Sequence, residues 1–176
     1  MKDRKILLVG GAGFIGHNLA LSLKSRGYEV VVADSLMINK LYSHETAAPS
    51  QSQELDLHFL RQRIDRLHNK GIKLHVVDAR RAVELEQVFK EERPDKVVHF
   101  AAVSHANKSN KDPHTTFDHS FVTLENSLEL ARQNSEHFIF FSSSMVYGEF
   151  YDEVVTEDTQ CSPLGIYGAL KYGGEK

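Results

Sequence analysis

One cysteine, no excess of positive charge and no apolar run of membrane length: these scarcities in the 176 residues narrow the classes to which the chain can belong. A lone thiol, Cys161, excludes an internal disulfide and a cysteine-built zinc site, and it suits a reducing compartment. With 21 Lys and Arg against 24 Asp and Glu, the formal charge is -3, so there is no basic field to hold nucleic acid or an anionic membrane surface. No apolar stretch approaches the roughly 20 residues that span a bilayer. The opening Met1-Lys2-Asp3-Arg4 leads into a strand-like run and not into a signal-peptide core. A cytoplasmic protein whose partners are small molecules is the expectation. Internal repeats are lacking too, and the only compositionally biased stretch is rich in Ser, Gln and Ala.

What is present is enough hydrophobic residue, 41%, to bury a core across residues 1–176 as one domain. Short apolar runs recur at Ile6 to Val9, Val30 to Ala33, Leu74 to Val77, Val97 to Ala101 and Phe138 to Phe141, each bounded by polar or turn residues. Continuous apolar runs separated by helical patterns are what a parallel sheet buried on both faces requires, so the fold class is α/β, doubly wound. The first helix spans about Phe14 to Lys24, with Leu19, Ala20 and Leu23 on one face and Gly27 as its stop. Further helical patterns lie at Leu57, Leu60, Ile64 and Leu67, at Val83 to Phe89 before Pro94, and at about Thr116 to Arg132. The polar stretch from Met37 to Gln53 has no period and reads as a mobile surface loop. Tyr167 to Lys176 reads as the opening of a helix, begun near 166, that lacks a stop signal, as if the chain were cut short there.

Directly after the first run stands Gly10-Gly11-Ala12-Gly13-Phe14-Ile15-Gly16, leading into an amphipathic helix. In that context Gly10 makes a tight turn, Gly13 admits a pyrophosphate to the backbone, and Gly16 lets the helix approach the strand. Phe14 and Ile15, which open the helix, join the candidate cofactor contacts, because a helix N-terminus offers free amides and partial positive charge to an anion. A glycine-rich turn with no ligand is the plainer alternative. No Gly-Lys-Ser/Thr follows, so triphosphatase and kinase chemistry is disfavoured. Asp34, at the end of the second strand, is placed to accept hydrogen bonds from the adenosine ribose; Ser35 and Leu36 after it supply no arginine for a 2'-phosphate, so the expected cofactor is NAD. Asp34 as a mere turn residue is the other option. Asp78 and Ala79, closing the third strand, are candidates to touch the adenine.

Late in the chain Tyr167-Gly168-Ala169-Leu170-Lys171 places a phenol and an ammonium on one helix face. A free tyrosine ionises near pH 10, and a neighbouring cation stabilises the phenolate, so Tyr167 is a candidate acid/base and Lys171 its helper; both are also candidate cofactor contacts, Lys171 at the nicotinamide ribose. Alone this pair is common and describes any amphipathic helix with a solvated lysine. Here the fifth strand runs into Ser142-Ser143-Ser144-Met145-Val146-Tyr147-Gly148, delivering hydroxyls to the sheet's carboxyl edge, where open α/β sheets bind ligands.

With GGAGFIG, Asp34, HFAA at 99 to 102, SSSMVYG and YGALK in that order, the chain resembles the NAD-dependent epimerase/dehydratase family of extended short-chain dehydrogenases, over essentially its whole length. The resemblance implies an NAD(P)-binding Rossmann-like domain with Phe100, Ala101 and Ala102 lining the cofactor. Aligned on Val-Tyr-Gly, Ser143 matches the family's catalytic Ser/Thr, with Ser144 as the alternative. It further implies a nucleotide-diphosphate sugar as substrate, oxidised by hydride transfer and re-reduced on its other face, with catalysis by Ser143, Tyr167 and Lys171. Dehydrating relatives carry an Asp-Glu pair where this chain has Ser144 and Met145, so nucleotide-sugar epimerisation leads over dehydrogenase, reductase or dehydratase chemistry. A rival of another class is a non-catalytic NAD-sensing domain, which needs only the glycine turn and Asp34. Where many relatives have Asn-x-x-Gly-Thr, residues Ser120 to Leu124 lack the glycine. The family's C-terminal substrate lobe would lie beyond Lys176, and homodimers through the Tyr-Lys helix are a possibility the resemblance brings.

Ten histidines invite a metal, but His105, His114 and His119 share no helix face and no carboxylate cluster accompanies them, so no metal is expected. His99 reads as a packed, hydrogen-bonded histidine. The polar run from His105 to Asp112 reads either as a substrate-contacting segment or as a solvated loop.

Overall fold

Five short apolar runs become five parallel strands in the computed structural model, which describes residues 5–37, 51–103, 106–150 and 154–176. They are β1 (Lys5–Val9), β2 (Glu29–Asp34), β3 (Lys73–Val76), β4 (Lys96–His99) and β5 (His137–Phe140), in the order β3-β2-β1-β4-β5. Ile6 pairs with Val30 on one side and Lys96 on the other, so β1 is the centre of the sheet. Successive side chains of a strand face opposite ways. Ile6 and Leu8 of β1, with Val30, Val32 and Val98, therefore pack under α1 (Phe14–Ser25) and α2 (Gln51–Asn69). Leu7 and Val9, with Val31, Ala33 and Val97, pack under α3 (Ala82–Glu92) and α6 (Thr123–Asn134). Two buried layers explain why the central strands read as unbroken apolar runs and not as alternating ones. The chain reverses its winding between β1 and β4, which opens a crevice at the carboxyl edge of the sheet.

Three sequence expectations need correction. The loop assigned to Met37 to Gln53 ends sooner, because α2 already begins at Gln51; residues 38–50 lie outside the described part. Its first turns carry no apolar period, since Leu57 begins the stripe, so only the helix-forming tendency of Gln and Glu marks them. The single helix expected at about Thr116 to Arg132 is compound: the end of α5 (Pro113–Phe117), a π turn at Asp118–Val122, then α6, with a separate α4 (Ala106–Lys111) before them. Asp112 accepts a hydrogen bond from the Thr115 N–H at 3.0 Å, and Pro113 occupies the first position, a usual helix start. The π turn breaks the 3.6 period, which hid the extent of the run. The stretch after His105 is thus helical at 106–111, while His105 itself lies outside the described residues. Finally, β4 stops at His99, two residues before the expected end, and β3 at Val76.

The amino edge of the sheet is tied by Glu92 at the end of α3. Its side chain, 6% exposed, accepts from Lys5 Nζ at 3.0 Å, Lys73 Nζ at 2.7 Å and His75 Nε2 at 2.7 Å, while Lys5 also pairs with Glu29 at 2.7 Å. Burial raises the pKa of Glu92, but these donors outweigh it and hold the carboxyl down at about 2. His75, Glu91 and Glu92 bring metal-ligating atom types within 4.8 Å of one another, yet lysines already neutralise both carboxylates. Glu92→Ala is expected to lower unfolding stability by about 2 kcal/mol, below the usual cost of breaking a buried pair because Lys5 keeps Glu29 and Lys73 keeps Glu91. Urea denaturation at pH 7 measures it, and an unchanged midpoint refutes the tie.

Candidate functional site

Of the four glycines between β1 and the first turn of α1, Gly10, Gly13 and Gly16 carry three different reasons. Gly10 has φ +76°, and a Cβ there would stand 2.6 Å from the Ala101 nitrogen, so backbone conformation and the segment after β4 both demand glycine. At Gly16 a Cβ would lie 2.6 Å from Gly11 Cα, so the helix could not approach the turn. Gly13 differs: its φ is -69°, and the nearest atom to an added Cβ is Gly10 O at 3.8 Å. Nothing within the chain requires a glycine there. Gly13 is also the N-cap of α1, which has neither a side-chain cap nor an acidic residue in its first turn, so its first amides are left to an outside acceptor.

Asp34 closes β2 beside this turn. Its Oδ2 accepts from the Ala12 N–H at 2.9 Å and its Oδ1 from the Leu36 N–H at 2.8 Å, which locks turn and strand end together. Burial raises the Asp34 pKa, against the pull of those two donors. Asp78 receives a forked hydrogen bond from Arg80, Nε at 3.0 Å to each oxygen and a terminal nitrogen at 2.6 Å. Burial pushes Asp78 up, but the Arg80 guanidinium and backbone N–H outweigh it and leave the carboxyl below its ordinary value.

On the other side of the crevice, β4 and β5 bring Phe100 and Phe141 together with ring centres 4.2 Å apart. The helix α7 (Gly165–Glu175) brings Tyr167 and Lys171 against this wall. It sits close because residue 168 is glycine; a Cβ there would meet Met145 O at 2.6 Å. Lys171 is 5% exposed, donates to Phe141 O at 2.5 Å and lies 4.7 Å from the centre of the Phe140 ring. Burial without a carboxylate partner among the described residues pushes its pKa down to about 8.

All these parts border one cavity of about 450 Å³, within the range of ligand pockets. Its walls include Gly10, Gly13, Phe14, Ile15, Gly16, Asp34, Asp78, Ala79, Phe100, Ala101, Ala102, Tyr167 and Lys171. That is every position proposed from sequence as a cofactor contact. Residues 6–176 match the family model described as the NAD dependent epimerase/dehydratase family. The chain belongs to this family.

Its relatives include UDP-glucose 4-epimerase 4 of Oryza sativa subsp. japonica, 34% identical over 178 residues, covering 99% of this chain and 44% of the relative. Protein CapI of Staphylococcus aureus is 32% identical over 173 residues, covering 97% and 47%. Among solved structures, the Thermus thermophilus UDP-glucose 4-epimerase in complex with NAD superposes with a TM-score of 0.78 at 31% identity, over 97% of this chain and 48% of that one. The chain therefore spans about half the length of the relatives it matches. Family and fold agree with the sequence reading: a Rossmann-like parallel sheet in an NAD-dependent family. No helix among the described residues is long and apolar enough to cross a membrane.

For this family member the serine loop differs from expectation in one respect. Ser142, not Ser143, borders the cavity, and its hydroxyl donates to Glu175. Ser143 caps the short 3-10 turn Ser144–Val146, its Oγ accepting from the Met145 N–H at 3.2 Å. Sequence reading also left out Arg63, His119 and Thr123 from the cavity wall. His119 lies in the π turn and Thr123 immediately follows it, and no sequence period points to them.

His99 is fully buried at the end of β4. Its Nε2 donates to Ala101 O at 3.0 Å and its Nδ1 lies 3.2 Å from Ser127 Oγ, so the ring fixes the turn that carries Ala101 and Ala102 into the cavity. Burial, reinforced by the charge of Lys171, lowers its pKa from 6.5 to about 3. Between those values the unfolded chain holds a proton on this residue and the folded chain does not, so stability falls as pH drops below about 6.5. In His99→Gln the loss of stability between pH 7 and pH 5 is expected to be smaller than in the wild type. Urea midpoints at the two pH values test this, and parallel declines refute it.

Proposed function

We propose that the complete protein containing this chain is an NAD-dependent nucleotide-sugar epimerase that oxidises a ring hydroxyl to a ketone and re-reduces it from the opposite side. The observation that carries this reading is the meeting, in one crevice, of the open glycine turn, Asp34, and the Tyr167–Lys171 pair. The residues fit the dinucleotide: Gly13 leaves space where a Cβ would stand, and the amides of α1 are uncapped. When bound, NAD supplies a reversible two-electron acceptor for the carbon-bound hydride.

The chain's own groups do the rest. Tyr167 Oη takes the proton of the sugar hydroxyl as the C–H pair leaves and the C=O bond forms, and it returns that proton in the reverse step. Lys171, cationic below about pH 8, stands one helix turn from Tyr167 and would also donate to the nicotinamide ribose of bound NAD. The serines after β5 hold the sugar hydroxyl, with Ser143 at the position of the family's hydroxyl and Ser142 on the wall. Ser144 and Met145 provide no acid for elimination, which favours epimerisation over dehydration. Asp34, standing where a 2'-phosphate would come, favours NAD over NADP. Relatives named UDP-glucose 4-epimerases support a UDP-sugar as the first substrate to try.

The test is to incubate the complete protein with UDP-, GDP- and dTDP-sugars and separate the products by chromatography. Interconversion without added NAD is expected. Net consumption of the cofactor would make the protein a dehydrogenase or reductase, and bound NAD without any sugar conversion would make it a sensor.

A further inference from the structure

The cavity wall carries a cation that neither the glycine fingerprint nor the Tyr-Lys pair includes. Arg63 belongs to α2, where Leu60, Ile64 and Leu67 form the face that packs on the core. Its position, three residues after Leu60 and one before Ile64, sets it at the border of that face. From there its guanidinium lies 5.9 Å from the centre of the Phe14 ring, the residue that follows Gly13. Among the described residues Arg63 has no carboxylate partner.

We propose that Arg63 is a phosphate clamp, which binds the diphosphate of the dinucleotide from the α2 side while the amides of α1 bind it from the turn. This rests on reading the crevice as an NAD site. Three observations carry it. First, among the described residues the charged side chains on the wall are Asp34, Asp78, Arg63 and Lys171. Asp78 is matched by Arg80, and Lys171 donates to Phe141 O at the end of the sheet away from the glycine turn, so Arg63 is the described cation at the glycine-turn end. Second, a diphosphate would bring two negative charges into a crevice whose glycine-turn end already holds the Asp34 carboxylate; the α1 amides supply only partial charge. Third, the planar fork of an arginine is suited to paired phosphate oxygens, and resting on the exposed Phe14 ring pre-positions it. A role on a 2'-phosphate is disfavoured by Asp34, whose two oxygens are held at the end of β2 where ribose hydroxyls would be bound on that reading.

Calorimetric titration of the complete protein with NAD, ADP-ribose and adenosine separates the possibilities. Arg63→Gln is expected to weaken NAD and ADP-ribose alike by about tenfold to a hundredfold, the range for a hydrogen bond to a charged group, and to leave adenosine unchanged. Arg63→Lys should recover part of the loss, because the charge remains while the fork is gone, and the salt dependence of NAD binding should be shallower in the Gln variant. Equal NAD affinity in wild type and both variants overturns the clamp. So does an equal loss for adenosine, which would mean Arg63 only orders α2 and Phe14. A wild-type protein that binds no NAD removes the dinucleotide reading itself, a result distinct from any of these.

Discussion

Gly13→Asp is expected to lower NAD affinity by about a hundredfold or more while leaving the melting temperature close to that of the wild type. The two halves of that expectation come from different facts. A side chain at residue 13 meets no protein atom nearer than Gly10 O at 3.8 Å, and the φ of -69° is open to any residue, so folding has no reason to suffer. An aspartate at an N-cap even favours the helix. The bound diphosphate, however, would then face a carboxylate in a partly enclosed crevice, and like charges so placed cost several kcal/mol. Gly10→Ala and Gly16→Ala serve as contrasts, since each forces a Cβ against backbone at 2.6 Å and should reduce stability as well as binding. Fluorescence titration with NAD and thermal unfolding read both quantities. If Gly13→Asp binds NAD as the wild type does, the turn is not the diphosphate cradle.

The contrast among these glycines shows where sequence reading succeeds and where it stops. Gly10, Gly13 and Gly16 were legible because their spacing between a strand and a helix is a recognisable pattern, although only Gly10 and Gly16 answer a need within the chain itself. The five strands were legible for a similar reason: burial on both faces imposes unbroken apolar runs such as Ile6 to Val9. Arg63 was not legible, because its placement depends on how α2 leans on α1, which no residue spacing within α2 encodes. His119 and Thr123 escaped because the π turn at Asp118–Val122 shifts the helix face by a residue, and a search at 3.6 residues per turn cannot register that. Ser142 and Ser143 are adjacent hydroxyls in an irregular segment after β5. Which one turns inward is decided by the cap that Ser143 makes to Met145, a tertiary detail below the resolution of motif matching.

Tyr167→Phe is expected to reduce sugar turnover by about a thousandfold or more, the upper part of the range for removing a general acid/base, with NAD affinity within about twofold of the wild type. The substitution deletes one oxygen from a half-buried ring at the cavity wall and leaves the ring's packing in place, so α7 should still seat against Met145 through Gly168. A cofactor held by the glycine turn and Asp34 does not need that oxygen; a sugar hydroxyl that must lose its proton does. Turnover and binding should therefore separate cleanly in this one variant. A protein that merely senses NAD predicts no separation, because it has no turnover to lose, and a protein whose proton acceptor is elsewhere predicts retained turnover. Single-turnover measurements with a UDP-sugar, alongside titration with NAD, distinguish the three. Retained turnover would shift attention to the Ser142–Glu175 pair, in which a carboxylic acid is hydrogen-bonded to a wall residue.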